Sequence, residues 1–155
     1  MSITAVYTAV SILADSVSTL PIVTYKRGDT QRGVVANPLL VTDPWPEGTL
    51  QDWLVQVVTS LALRGNFFGR IIDRSTDGYP TMIKPVHPDS VMARRLPNGQ
   101  RAYWMDGQPV PLGDVLHIPN ILIPGSFIGL NPVEYMRQSW GLAAAADKYM
   151  GQFYA

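Results

Sequence analysis

Two imidazoles, His87 and His117, stand in the 155-residue sequence, and cysteine is absent. Imidazole is the side chain suited to moving protons near neutral pH, and with cysteine it dominates zinc sites. A histidine base also needs a partner at hydrogen-bonding distance to orient it. Near His117 that partner would be Asp114, three residues earlier in DVLHI. This pair is the one constellation from which a hydrolase could be built. No further acid or histidine stands at ligand spacing, so His117 reads as a structural histidine in an alternating strand. His87, between Val86 and Pro88, reads as a turn residue.

The carboxylates lead to the same place. There are two glutamates, Glu47 and Glu134. Glu134 stands three residues after Asn131 in Asn131-Pro132-Val133-Glu134, where it can reach back to cap a helix. Most aspartates fall in turn contexts. GxGxxG, Walker-type, GxSxG and HExxH patterns are absent. Without cysteine, thiolate nucleophiles, thiolate zinc sites and disulfides are excluded. The expectation is a non-enzymatic chain with no catalytic, metal-binding or cofactor-binding residues.

The elements that would position any site read as α+β, in one region spanning 1–155. Ile3, Val6, Tyr7, Val10, Leu13, Ala14 and Val17 form one apolar stripe at helical spacing, ended by Pro21. IVTYK reads as a strand, and the Gly-, Pro- and Asp-rich stretch 27–48 as a long loop. A second helix follows, with Thr49 as N-cap, a stripe of Leu50, Trp53, Leu54, Val57, Val58 and Leu61, and Gly65-Asn66 at its exit. FFGRIIDR, MIKPV, SVMARRL, RAYWM and DVLHI read as strands of one small, mainly antiparallel sheet over 67–118. Asp77-Gly78, Pro97-Asn98-Gly99 and Asp106-Gly107 supply its turns. Val6, Val10, Trp53, Leu54, Val57, Leu61, Ile71 and Leu116 are the expected buried positions. A long C-terminal helix opens at Asn131. Its stripes Leu142, Ala146, Tyr149, Phe153 and Met136, Trp140, Ala143, Met150, Tyr154 wrap around much of its surface. With no stop signal before Ala155, it is expected to be cut off at the chain end and to need partners on two sides.

Composition points to a covered surface. Apolar residues make up 46% of the chain and charged residues 15%, against the roughly 25% charged of an ordinary soluble domain. Self-association would cover such a surface, because like subunits bury like patches. The uncharged segment 115–133 is the main candidate. Its Ile121, Leu122, Ile123, Phe127, Ile128 and Leu130 follow no period that would hide them locally, and burying each is worth roughly 1.5–3 kcal/mol. With Trp140, Tyr149 and Phe153 of the last helix, they are the candidate subunit contacts, the segment being expected to lie against a neighbouring subunit or against a further part of its own chain. Pro119, Pro124, Gly125, Gly129 and Pro132 break the same segment, which rules it out as a membrane span. The apolar run 3–13 has no basic region before it and Asp15 after it, so it does not read as a signal peptide. Twelve basic residues balance twelve acidic ones. That balance disfavours a dedicated nucleic-acid-binding module, and Lys84, Arg94, Arg95 and Arg101 read as a solvated sheet face.

Taken in order, four stretches resemble the portal family of long-tailed bacteriophages. VYTAVSILADSVSTLPIVTYKR is similar to its early helix, Leu-Pro and Tyr-bearing strand. LALRGNFFGRIIDRSTDGYPTMIKPVHPDSVMARR is similar to its Gly-Asn, aromatic strand, Gly-x-Pro and Pro-x-x-Val progression, although GNFFG departs from the small-aromatic alternation usual there. DVLHIPN resembles its Asp-Val-hydrophobic-His-Ile strand. GLNPVEYMRQSWGLAAAADKYMGQFYA resembles its Gly-x-x-Pro helix start and long Ala-rich helix. The resemblance implies the N-terminal, wing-side portion of a portal subunit, with stem, clip and crown largely outside it. It further implies a dodecameric ring at one capsid vertex, assembled in the host cytoplasm and carried in the virion. The ring would nucleate head assembly, meet terminase, capsid or scaffold and head-completion proteins, and pass double-stranded DNA without sequence specificity. The competing reading is a stand-alone α+β adaptor module whose sparse charge reflects a protein partner.

Overall fold

Helix α3 (Leu50–Arg64) is held at both ends by its own flanking residues in this computed structural model, which describes residues 3–27, 32–137 and 141. The Thr49 side chain accepts from the Asp52 N–H at 3.2 Å, and the Asp52 carboxylate accepts from the Thr49 N–H at 2.9 Å. This reciprocal cap satisfies two donors that a helix N-terminus leaves unpaired. Gly65 ends the helix at φ 70°, a left-handed conformation that costs glycine nothing. Trp53 docks α3 on the sheet. Its indole N–H donates to the Ile83 carbonyl at 2.9 Å, and its ring meets Phe67 edge-on at 5.3 Å. Arg64 forks Asp89 at 2.8 and 2.7 Å, which ties the helix exit to the connection beyond the sheet. Helix α1 (Ile3–Ser18) lies along α3, which in turn packs on the strands.

Strand β3 (Asn66–Arg74) is the centre of a three-stranded antiparallel sheet. It pairs with β4 (Pro80–Val86) on one side and β8 (Val115–Pro119) on the other. A second antiparallel sheet is formed by β5 (Val91–Arg95), β6 (Arg101–Met105) and β7 (Gln108–Val110), in that order. Phe68 of the first sheet, Tyr103 of the second and Phe127 of the following loop form the core between them. Strands β1 (Thr24–Arg27) and β2 (Arg32–Val35) make a separate two-stranded ribbon.

The α+β class is as expected, and several details differ. The strands over 67–118 divide into two sheets rather than one, because the Pro88–Ser90 turn of 3-10 helix redirects the chain between β4 and β5. Strand β7, with Pro109 at its middle, was not anticipated; it sits at a sheet edge, where a missing N–H is tolerated. The stretch expected to be a long loop contains β2 and a single turn of helix, α2 (Leu39–Thr42). The β1–β2 ribbon is closed by Asn37, which accepts from the Thr24 N–H and donates to the Ile22 carbonyl, both at 3.1 Å. Of the expected core positions, Val57 is buried and Val6, Val10, Trp53, Leu54, Leu61, Ile71 and Leu116 are half-buried. In α1 the stripe is only partly covered. Ala14 is buried, while Tyr7, Leu13 and Val17 are exposed.

Candidate functional site

The uncharged segment after β8 is held at its root by backbone contacts to the α3–β3 junction. The Asn120 N–H donates to the Gly65 carbonyl at 2.8 Å. Asn66, buried at the start of β3, pairs its amide with the Gly129 peptide. Its Oδ1 accepts from the Gly129 N–H at 2.7 Å, and its Nδ2 donates to the Gly129 carbonyl at 2.9 Å. Gly129 has no room for a side chain, since a Cβ there would overlap the Gly65 carbonyl oxygen. Within the segment, the Leu130 N–H donates to the Ile121 carbonyl at 2.7 Å, and Ser126 bonds both the N–H and the carbonyl of Ile128. The result is a braced loop rather than a loose one.

His117 on β8 completes the brace. Its Nε2 lies 3.0 Å from Asn66 Oδ1 and its Nδ1 lies 3.1 Å from the Tyr103 hydroxyl. The Gly129 peptide fixes which way the Asn66 amide faces, so Oδ1 can only accept from the imidazole. His117 is therefore protonated on Nε2, and Nδ1 accepts from the Tyr103 O–H. The ring stacks on Phe68 at 4.4 Å and meets Phe127 edge-on at 6.2 Å. Both nitrogens are engaged by protein groups, as expected of a structural histidine. Asp114 is not its partner; that carboxylate meets Arg74 at 3.2 Å. His87 caps the 3-10 turn by accepting from the Asp89 N–H at 3.2 Å, the turn role expected of it.

Burial, reinforced by the Arg101 charge, pushes the His117 pKa down from 6.5 to about 4. A base that is harder to protonate in the folded state makes stability rise with pH wherever the unfolded chain binds more protons. The contribution is complete above pH 6.5 and is lost as pH falls from there to about 4. After allowance for solvent screening at this half-buried ring, the loss is about 1–2 kcal/mol. Urea midpoints measured between pH 7.5 and 4 should show it, and His117→Gln should flatten that portion of the curve. An unchanged slope in the variant would mean that other groups titrate there.

Above its braced root the loop presents apolar side chains to solvent. Ile121, Leu122 and Ile123 are 59%, 51% and 49% exposed, and Ile128 lies beside them. Phe127 is different from the rest of the expected contact set. It is buried within its own chain, edge-on to Tyr103 at 6.2 Å, so it anchors the loop instead of projecting from it. Leu130 is half-buried at the root. Trp140, Tyr149 and Phe153 lie outside the described residues. Asn131 caps the next helical turn, accepting from the Val133 and Glu134 N–H groups at 3.1 and 3.3 Å. Sequence reasoning missed Asn66 and Tyr103 as the groups that hold this loop. Asn66 read as a helix-exit residue, and nothing local marks its bond to a residue 63 positions away.

Fold and site together define an α+β module that presents a hydrogen-bonded apolar loop. Among the described residues no group of His, Asp and Glu is placed to hold a metal ion, and no helix is long and apolar enough to cross a membrane. Residues 4–155 match the phage portal protein family, and the chain belongs to it. It is 36% identical to the probable portal protein of Streptomyces phage phiC31, over all of this chain and 37% of that one. It is 33% identical to the protein BeeE of Escherichia coli K12, over 65% of this chain and 69% of that one. The chain thus spans little more than a third of the phage relative's length. Its fold is similar to a chain in the virion of a native gene transfer agent particle, with a TM-score of 0.68 at 14% identity over 94% of this chain and 40% of that one. An HK97-family phage portal protein from Corynebacterium diphtheriae gives a TM-score of 0.55 at 17% identity, over 76% of this chain and 38% of that one.

Proposed function

We propose that this chain is a structural, non-enzymatic part of a portal subunit, which assembles into a dodecameric ring at a capsid vertex of the virion. Double-stranded DNA enters and leaves through the ring without sequence-specific contact, driven by the ATPase of terminase rather than by any chemistry in this chain. The same ring nucleates the head during assembly in the host cytoplasm and receives capsid or scaffold and head-completion proteins. Membership of the portal family supports this reading. So does a near-neutral, sparsely charged chain, which suits a wall past which a polyanion must slide.

The observation that carries the subunit contact is the braced loop with Ile121, Leu122, Ile123 and Ile128 exposed at its surface. A loop held by its own hydrogen bonds has less conformational entropy to lose when it is covered. The proposed contact also takes in Trp140, Tyr149 and Phe153. Ile123→Asp, made in the longest natural polypeptide that carries these residues, should weaken ring assembly at least tenfold. The same substitution should change unfolding stability by about 0.5 kcal/mol or less, as at other exposed positions. Sedimentation and urea titration read the two effects separately. Equal losses of assembly and stability would reject the loop as a contact.

A further inference from the structure

At the end of the β5–β6 hairpin, Arg95 and Arg101 stand directly opposite each other. They share the face that turns Val91, Ala93 and Tyr103 towards Phe68 and Phe127. Both guanidinium groups lie over the Phe127 ring, 5.7 and 5.3 Å from its centroid. The ring face attracts each cation, but like charges opposed across a ladder repel. Arg95 donates to the Gly99 carbonyl at 3.3 Å. Among the described residues the arginines paired with carboxylates are Arg64 and Arg74, not these two. One carboxylate placed between the two forks would relieve the repulsion and accept charge-assisted hydrogen bonds from both. Ile123 lines one groove with Val91 and Ala93 of this same strand face, so the pair's face continues into an apolar surface, which suits a protein better than a phosphodiester backbone.

Four acids of the described residues are already engaged, while Asp43, Glu47, Asp77 and Asp106 stand exposed in turns and loops. Asp52 bonds Thr49, Asp73 bonds Thr81, Asp89 pairs with Arg64 and Asp114 with Arg74. Glu134 borders the loop itself and so belongs to the same surface as the cations. Asp15 stands elsewhere. It is exposed on α1, in a largely apolar furrow between α1 and α3 lined by Tyr7, Val10, Val55 and Thr59. Tyr7 is 74% and Ile12 is 60% exposed beside it. Among the described residues, one surface thus carries two cations with no carboxylate partner next to apolar residues, and another carries a carboxylate with no cation partner among apolar residues.

We propose that Arg95 and Arg101 of one copy of the chain clamp Asp15 of the next copy, with the exposed side chains of Ile121, Leu122 and Ile123 seated against the α1–α3 furrow. The contact rests on the ring reading above and specifies which two surfaces meet. Joining two different surfaces makes it head-to-tail, the kind of contact that repeats around a closed ring.

Charge reversal on each side tests it, in the longest natural polypeptide that carries these residues. Asp15→Lys alone, or Arg95→Glu with Arg101→Glu, places like charges at every contact and should raise the half-assembly concentration roughly tenfold or more. Mixed in equal amounts, the two variants can alternate, every contact then pairs opposite charges, and assembly should return to within about threefold of the unaltered protein. A mixture no better than its components overturns the proposal, as does unaltered assembly in both variants. Loss of duplex-DNA retention in the arginine variant with assembly intact would assign the pair to nucleic acid and overturn it as well. An unaltered polypeptide that stays monomeric removes the ring reading and this contact together. Should circular dichroism show the reversals to be unfolded, Asp15→Asn and Arg95→Gln with Arg101→Gln carry the test as a mutant cycle. A combined effect no larger than the greater single one supports the pairing, and a simple sum of effects overturns it.

Discussion

Asn66→Ala is expected to destabilise the chain by roughly 3–5 kcal/mol, because it strands several buried polar groups at once. The Asn66 amide accepts from the Gly129 N–H and from His117 Nε2, and donates to the carbonyls of Gly129 and Arg64. Alanine leaves the Gly129 peptide and the imidazole N–H without partners in a site sealed by Phe68, Tyr103 and Phe127. A buried group left unpaired costs about 1–3 kcal/mol, and the groups share one network, so their losses do not simply add. The loop should also come free of the α3–β3 junction, with faster hydrogen exchange at the Gly129 and Leu130 amides. A loss below about 1 kcal/mol in urea titration, with exchange unchanged, would mean that the loop is held by something other than this amide.

The second large effect is expected at the helix exit. Gly65→Ala should cost roughly 2–4 kcal/mol, from two sources that a control can separate. At φ 70° any L side chain is strained, and a Cβ at this position would also overlap the Leu130 carbonyl oxygen. Moving the loop aside would break the hydrogen bond from Asn120 to the Gly65 carbonyl. Gly78 has a similar φ of 82°, with open space around it, so Gly78→Ala isolates the backbone strain at about 1 kcal/mol. Thermal or chemical denaturation of both variants reads the difference. Equal losses at the two glycines would show that the close approach of the loop backbone contributes nothing.

These two residues mark where sequence reasoning stops. Gly65 was legible as a helix exit, because its conformation serves a helix whose last carbonyls lie within a few residues of it. Its second role, leaving room for the Leu130 carbonyl, comes from a strand and loop folded back over more than sixty positions. Asn66 is the sharper case, since every group its side chain bonds except the Arg64 carbonyl arrives from β8 or the loop beyond. Phe127 was grouped with outward-facing contacts because the segment has no helical or strand period. Irregular backbone can turn one side chain inward among five others, and a period count does not see that. The same limit divides the strands of 67–118 into two sheets: local alternation identifies a strand but not its neighbours.

What the sequence determined by itself was whatever is settled within about four residues or by residue type alone. The cap and exit of α3, the glycine turns, most strands and the structural nature of His117 belong there. So does the want of motifs for phosphate, metal or nucleophilic chemistry. The ordered motifs that resemble portal proteins were also legible, because they repeat those local signals at family spacing. Only the tertiary structure decided that Asn66, His117 and Tyr103 form one brace and that Phe127 anchors the loop. It alone set Arg95 and Arg101 together on that aromatic ring. Each of these depends on closing long loops of chain, and the entropic cost of closure is met by the packed assembly as a whole rather than by any short stretch of residues.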